Sequence, residues 1–192
     1  MEADTSDGST ARRDRLELIS GHVELLIYEG NITRRPVSHF LDFVINGQSL
    51  IGLLRGGGDY VTNLNRAWVP DVVPVHVAVL LGRQPDPELD PGRVPLIVCA
   101  VDGDIACGAV TAALSVAADT VTWSDFRWED GYRALEAPEG LPDAVTFDRR
   151  EYELGLQRAV VRVSELPHDE TEHRLRRFLW PWHWGWRLPR DN

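Results

Sequence analysis

Leu96-Ile97-Val98-Cys99-Ala100-Val101 is apolar at six successive positions. A strand buried on both faces reads this way, so the run predicts a central strand of a sheet. The residues after it fit neighbours of that strand. Gly108 to Ala117 alternates, with Val110, Ala112, Leu114 and Val116 on one face, and a short Ala118-Asp119 turn leads into Val121-Thr122-Trp123. Together the three runs predict an antiparallel meander over about residues 94–128. The last run has a parity fault: Val121 and Trp123 share one face, whereas Phe126 and Trp128 fall on the other. A bulge near Ser124-Asp125 returns both pairs to the core side. The alternative is a strand covered on both faces.

Upstream, Val23, Leu25 and Ile27 alternate as a strand does, and so do Leu41, Phe43 and Ile45, which end at the turn signal Asn46-Gly47. Ser49 to Leu54 suits a helical turn or more, broken by Gly56-Gly57-Gly58. Val75 to Gly82 reads as a short buried helix with Gly82 as its stop. Pro85, Pro87, Pro91 and Pro95 then mark an extended connector. Downstream, Asp148 precedes Glu151 at capping-box spacing, and Phe147 and Tyr152 hold the staple positions. Tyr152, Leu156, Val160 and Val163 recur at helical spacing, with Arg149, Arg150, Arg158 and Arg162 off that stripe. Strands first and helices segregated from them predict an α+β fold: an antiparallel sheet of about five strands with amphipathic helices packed on it. A length of 192 residues suits one domain. It is placed at 16–165, after a disordered polar tail at 1–15 and before an Arg- and Trp-rich helix and tail at 166–192.

Charge narrows the function classes. The net charge is −10, the wrong sign for displacing counterions from nucleic acid, so no nucleic-acid partner is expected. No membrane partner is expected either. The longest apolar stretch, Val72 to Leu81, is interrupted by Pro74 and His76 and falls far short of the roughly 20 residues that span a bilayer. Met1 to Ser9 carries no apolar segment of the signal-peptide kind. Two cysteines are too few for a secreted disulfide scaffold. Cytoplasm is therefore the expected compartment. All 20 basic residues are Arg, which GC-rich coding explains more simply than a demand for guanidinium at every site.

Few constellations carry chemistry. Cys99-Ala-Val-Asp102-Gly-Asp104-Ile-Ala-Cys107-Gly joins two antiparallel strands, so its ends meet in space. Two thiolates and a carboxylate are a possible zinc set, but structural sites favour Cys and His and a shorter Cys spacing. The preferred reading is a small buried hydrophobe at Cys99 and a turn capped by Asp and Gly. His39 beside Asp42 suggests an orienting pair. Asp125 and Glu129 fall on one face of a strand near Trp123, which superficially resembles a sugar-processing site, although a solvated acidic face is the simpler account. No serine-hydrolase elbow, papain-like cysteine context, dinucleotide fingerprint or P-loop occurs. No catalytic, cofactor-binding or metal-binding residue is assigned on sequence, and no cofactor is expected.

Cys99…Gly103-Asp104…Cys107-Gly108-Ala109-Val110-Thr111, followed by Val121-Thr122-Trp123-Ser124-Asp125-Phe126…Trp128-Glu129, resembles a family of uncharacterised bacterial proteins. The likeness covers about residues 94–130 and extends to Leu80-Leu81-Gly82-Arg83. In that family the loop often carries a further cysteine, as Cys-x-x-Cys-Gly-Asp, where this chain has Asp102. The resemblance implies a bacterial source and no activity. The expected function is a non-enzymatic binding or interaction protein, an immunity-type inhibitor being one form. The alternatives are a small enzyme or metal-dependent sensor built on the 99–107 loop, and a structural subunit that oligomerises through its tail. In that tail an Arg-lined helix precedes Trp180, Trp182, Trp184 and Trp186, which suits a protein partner or self-association. The preferred reading is that the tail folds back on its own domain.

Overall fold

The computed structural model describes residues 13–29, 32–54, 59–68, 72–130, 134–136 and 139–168. The expected tail helix and Trp180–Trp186, like most of the segment 1–15, lie outside the described residues. In chain order the elements are β1 (Leu16–Glu24), β2 (Ile27–Glu29), β3 (Ile32–Arg34), β4 (Val37–Ile45), β5 (Gln48–Ser49), α1 (Leu50–Leu53), β6 (Tyr60–Thr62), α2 (Val72–Leu80), β7 (Arg93–Cys99), β8 (Ala109–Val116), β9 (Thr120–Glu129), β10 (Ala134–Glu136), β11 (Ala144–Asp148) and α3 (Arg149–Ser164). The α+β architecture is as the sequence predicts. The main antiparallel sheet runs β10-β9-β8-β7-β6, with β11 also paired to β9, and a smaller one runs β1-β4-β5. Single-residue bridges, Phe40 with Asn65 and Asp14 with Phe147, link the two sheets.

The meander is β7-β8-β9, in register from Arg93↔Ala113 and Ala109↔Glu129. The predicted bulge is present. The β8–β9 register shifts between Thr111 and Ala113, Asp125 adopts φ 49°, and Val121, Trp123 and Phe126 are all buried in one core. An αR or αL residue inserted in one strand is how a bulge resets side-chain parity.

That core lies between the sheets and α2 and α3. Trp123 is its centre: its ring meets Phe43, Phe147 and Tyr152 edge-on at 5.3, 5.1 and 5.8 Å. Its indole N–H donates to Tyr152 Oη at 3.1 Å, and that hydroxyl donates to the Leu80 carbonyl at 2.8 Å, so the polar tips of both aromatics are satisfied inside the core. The α3 start matches expectation: Asp148 Oδ1 accepts from the Glu151 N–H, and Phe147 stacks on Tyr152. A second, smaller core holds Leu25, Phe40, Val61, Leu89, Val98, Ala100, Ile105 and Ala109.

Three expectations need correction. Val23, Leu25 and Ile27 are not one strand, because β1 ends at Glu24 and fully buried Leu25 turns the chain into β2. The strand expected over Leu41, Phe43 and Ile45 is β4, buried throughout from Phe40 to Ile45, whereas the central strand expected over Leu96–Val101 is β7, which takes in Pro95 and ends at Cys99. The helix expected from Val75 begins at Val72, because Pro is tolerated in a first turn whose N–H groups have no intrahelical partner. Its stop is Gly82, at φ 66°, where Gly82 N–H donates to Val79 and Arg83 N–H to Ala78. Among the described residues no helix is long and apolar enough to cross a membrane.

Candidate metal centre

Cys99 closes β7, and Cys107 closes a 3-10 turn, Ile105–Cys107, just before β8. The intervening loop is held by its own hydrogen bonds. Gly103 N–H donates to the Cys99 carbonyl at 2.9 Å, and Asp104 N–H to Asp102 Oδ1 at 3.1 Å. Asp104 Oδ1 in turn accepts from Ala106 N–H at 2.9 Å and caps the 3-10 turn. Ile105 is buried in the smaller core and pins the turn to the sheet. Gly103 (φ 72°) and Gly108 (φ 109°) supply conformations that L side chains rarely adopt.

The result is convergence. One donor atom each of Cys99, Asp102 and Cys107 lies within 4.8 Å of the others, and Cys107 Sγ stands 3.2 Å from Asp102 Oδ2. Asp104, which the sequence puts at the loop tip with Asp102, serves as a cap instead. Each donor has an aromatic neighbour. Tyr60 is the strand partner of Cys99. Trp68 lies over Gly103, next to Asp102, and Trp128 over Gly108, next to Cys107. Tyr60 and Trp128 meet edge-on at 5.2 Å. Sequence reasoning missed this aromatic set, whose members are far apart in the chain; only the glycines hint that something packs close to the loop.

Electrostatics fit a site that lacks positive charge. Desolvation of the sulfur, then the Asp102 carboxylate and Cys99, push the Cys107 thiol up to about 12. Burial also raises the Cys99 thiol, with Asp102 adding to the effect. Burial, then the two cysteines and Asp59, raise the Tyr60 phenol. Both thiols are therefore protonated at neutral pH, and a metal ion bound here would release those protons. Cysteine, aspartate and a tetrahedral preference suit zinc among the divalent ions.

The other sequence candidates separate. His39 and Asp42 lie an odd number of residues apart on β4 and so face opposite ways. His39 faces His22 across the β1–β4 pair, with ring centroids 5.9 Å apart, and desolvation and His22 lower its pKa. Asp42 is buried and accepts from the Ser49 hydroxyl. Asp125 and Glu129 do converge, on Arg93, with Glu129 largely buried and Asp125 still half-exposed. Arg93 Nη1 donates to Asp125 Oδ2 and Nε to Glu129 Oε1, both at 2.9 Å, and Nη2 to Thr111 Oγ1 at 2.7 Å. With Trp123 buried on the opposite face, these carboxylates are ion-paired structure and not an acid–base pair. No family model, curated protein or solved structure matches the chain.

Proposed function

We propose that this chain is a small metal-binding protein in which Cys99, Asp102 and Cys107 hold one divalent transition-metal ion, zinc by donor type. The observation that carries the reading is the convergence of the three donor atoms within 4.8 Å, on a loop whose backbone hydrogen bonds set it in advance. Two thiolates and a carboxylate more than balance the charge of a divalent ion, and aspartate oxygen is an ordinary zinc ligand. The sequence alone favours a bare turn here, because it does not reveal that the 3-10 turn carries Cys107 back to Asp102. Zinc titration of the full chain against a chromophoric chelator tests the reading. One saturating equivalent, lost in Cys107→Ser, supports it; no binding at micromolar zinc overturns it.

An interaction role, immunity-type inhibition included, rests on a different observation: the net charge of −10 together with the Trp180–Trp186 tail. An acidic surface suits a basic protein partner. Affinity capture from the source cells tests it, with retention of a basic protein by the full chain and its loss on deletion of residues 169–192 as the supporting result. Equal retention by both chains removes the tail from that role.

A further inference from the structure

Cys99 and Cys107 are the two cysteines of the chain, and both are free thiols. The last paired residues of the β7–β8 hairpin at this end are Ile97 and Val110, so the cysteines lie two and three residues beyond them, just past the paired part of the hairpin. Their sulfurs are within 4.8 Å of each other. A disulfide joins sulfurs at about 2.05 Å and accepts Cα separations of roughly 4.4–6.8 Å, a range that includes facing residues of antiparallel strands. Rotation of the two side chains is the movement that closes the remaining gap. The loop that joins them is already closed by folding, with Gly103 N–H donating to the Cys99 carbonyl and Cys107 N–H to the Asp104 carbonyl. Cys107 is exposed and Cys99 half-buried, so a reagent in solution meets Cys107 first.

We infer that Cys99 and Cys107 are a modification site, a pair that a small disulfide of the glutathione type oxidises reversibly to an intramolecular disulfide, and that this oxidation empties the metal site. The second half rests on the metal-site reading; the first does not. Cys107 gives up its proton and attacks one sulfur of the oxidant. The oxidant's S–S bond breaks, a mixed disulfide forms on Cys107, and one small thiolate leaves. Cys99, deprotonated in turn, attacks Cys107 Sγ. The mixed disulfide breaks, the Cys99–Cys107 bond forms, and the second small thiolate leaves. Each small thiolate takes up one of the two protons. Two electrons thus pass from the cysteine pair to the oxidant, which is reduced to two thiols, and an excess of small thiol drives the same steps backwards. Asp102 Oδ2 loses the S–H that it accepts from Cys107 in the reduced loop, and remains as one of the three proposed ligands. A metal needs both sulfurs as thiolates, so metal and disulfide exclude each other, and the redox state of the pair sets the occupancy of the site.

The test equilibrates the metal-free full chain in glutathione buffers from reducing to oxidising, quenches with acid, alkylates with iodoacetamide and reads intact mass. The inference expects a monomer that takes up two alkyl groups in the reducing buffer and none in the oxidising one, with no glutathione attached, and dithiothreitol should restore both alkylation sites. Cys99→Ser keeps the exposed sulfur and removes its partner, so it should stop at the glutathione adduct. Wild-type protein that accumulates the same adduct, cross-links into dimers, or keeps both alkylation sites in the most oxidising buffer overturns the disulfide. Zinc titration of the reduced and oxidised chains then tests the link to the metal. One equivalent bound by the reduced chain and none by the oxidised chain supports it, whereas equal binding by both overturns it. A reduced chain that binds no zinc fails the metal-site reading and the link with it, while the alkylation pattern still decides the disulfide by itself.

Discussion

Cys107 Sγ and Asp102 Oδ2 face each other at 3.2 Å across the β7–β8 loop, so the residue at 102 is a ligand in the metal site proposed above. Asp102→Cys should therefore bind zinc more tightly than the wild type, because thiolate is the softer donor for this ion. Asp102→Ala should bind at least about tenfold more weakly, since loss of even an outer partner of a metal ligand costs on that scale. Competition titration against a chelator ranks the three proteins. Equal affinities across the series would remove position 102 from the site.

Gly108 sits at φ 109°, and a Cβ placed on it would overlap the Trp128 ring. Gly108→Ala combines backbone strain with overpacking, each costing about 1–3 kcal/mol. The variant should lose about 2–4 kcal/mol in urea unfolding and bind zinc more weakly, because Cys107 is the preceding residue. Wild-type stability in Gly108→Ala would mean that the loop and Trp128 move apart freely.

Leu156 is fully buried at the middle of the α3 stripe. Leu156→Ala should cost about 2–5 kcal/mol, the range for emptying a core site. A measured loss below about 1 kcal/mol would put that stripe in contact with solvent.

The legible parts of the fold were those written in neighbouring residues. Parity alone located the bulge, because Trp123 and Phe126 cannot share a core without one. Cap spacing alone located the start of α3, because Asp148 and Glu151 contact each other locally. Strand proximity also announced that Cys99 and Cys107 approach. What stayed hidden depends on pairing across the chain. Arg93 lies between Pro91 and Pro95 of a stretch that reads as a connector and is one of 20 arginines, so nothing local marks it as buried. Glu129 reads as part of a solvated face for the same reason, whereas Asp125 does keep its exposure. The aromatic set around the Cys99–Cys107 loop joins Tyr60 and Trp68 with the distant Trp128, a grouping that only tertiary packing creates.

Asp42 offers a test by pH. Burial raises its pKa, against the opposing hydrogen bond from the Ser49 hydroxyl and those from backbone N–H groups. A carboxyl whose folded-state pKa lies above its unfolded value stabilises the native state below the unfolded pKa, and that contribution is lost as pH rises through the folded pKa. Asp42→Asn keeps the shape and removes the titration. The variant should therefore gain on the wild type as pH rises from the ordinary carboxylate range toward neutrality. Thermal melts of both proteins across that window measure the difference, and parallel profiles would show that Asp42 does not carry it.

The last prediction concerns Arg93, whose side chain is only 5% exposed and is paired with Glu129, itself 16% exposed. Arg93 also reaches Asp125 and Thr111, and the Thr111 hydroxyl donates to Glu129 Oε1 at 2.8 Å. The network thus ties β7, β8 and β9 together on the face opposite Trp123. Removing one partner from a buried pair leaves an uncompensated charge and costs about 3–5 kcal/mol, whereas replacing both with apolar or neutral groups is often close to neutral. Arg93→Met should fall in the costly range, because Glu129 then stays buried without its cation. Arg93→Met with Glu129→Gln should recover much of that loss, since the buried carboxylate is gone, half-exposed Asp125 keeps Arg127 as its partner, and Thr111 can still donate to the amide oxygen. A double-mutant cycle in urea isolates the coupling. Additive losses would mean that Arg93 and Glu129 are each solvated in the folded protein.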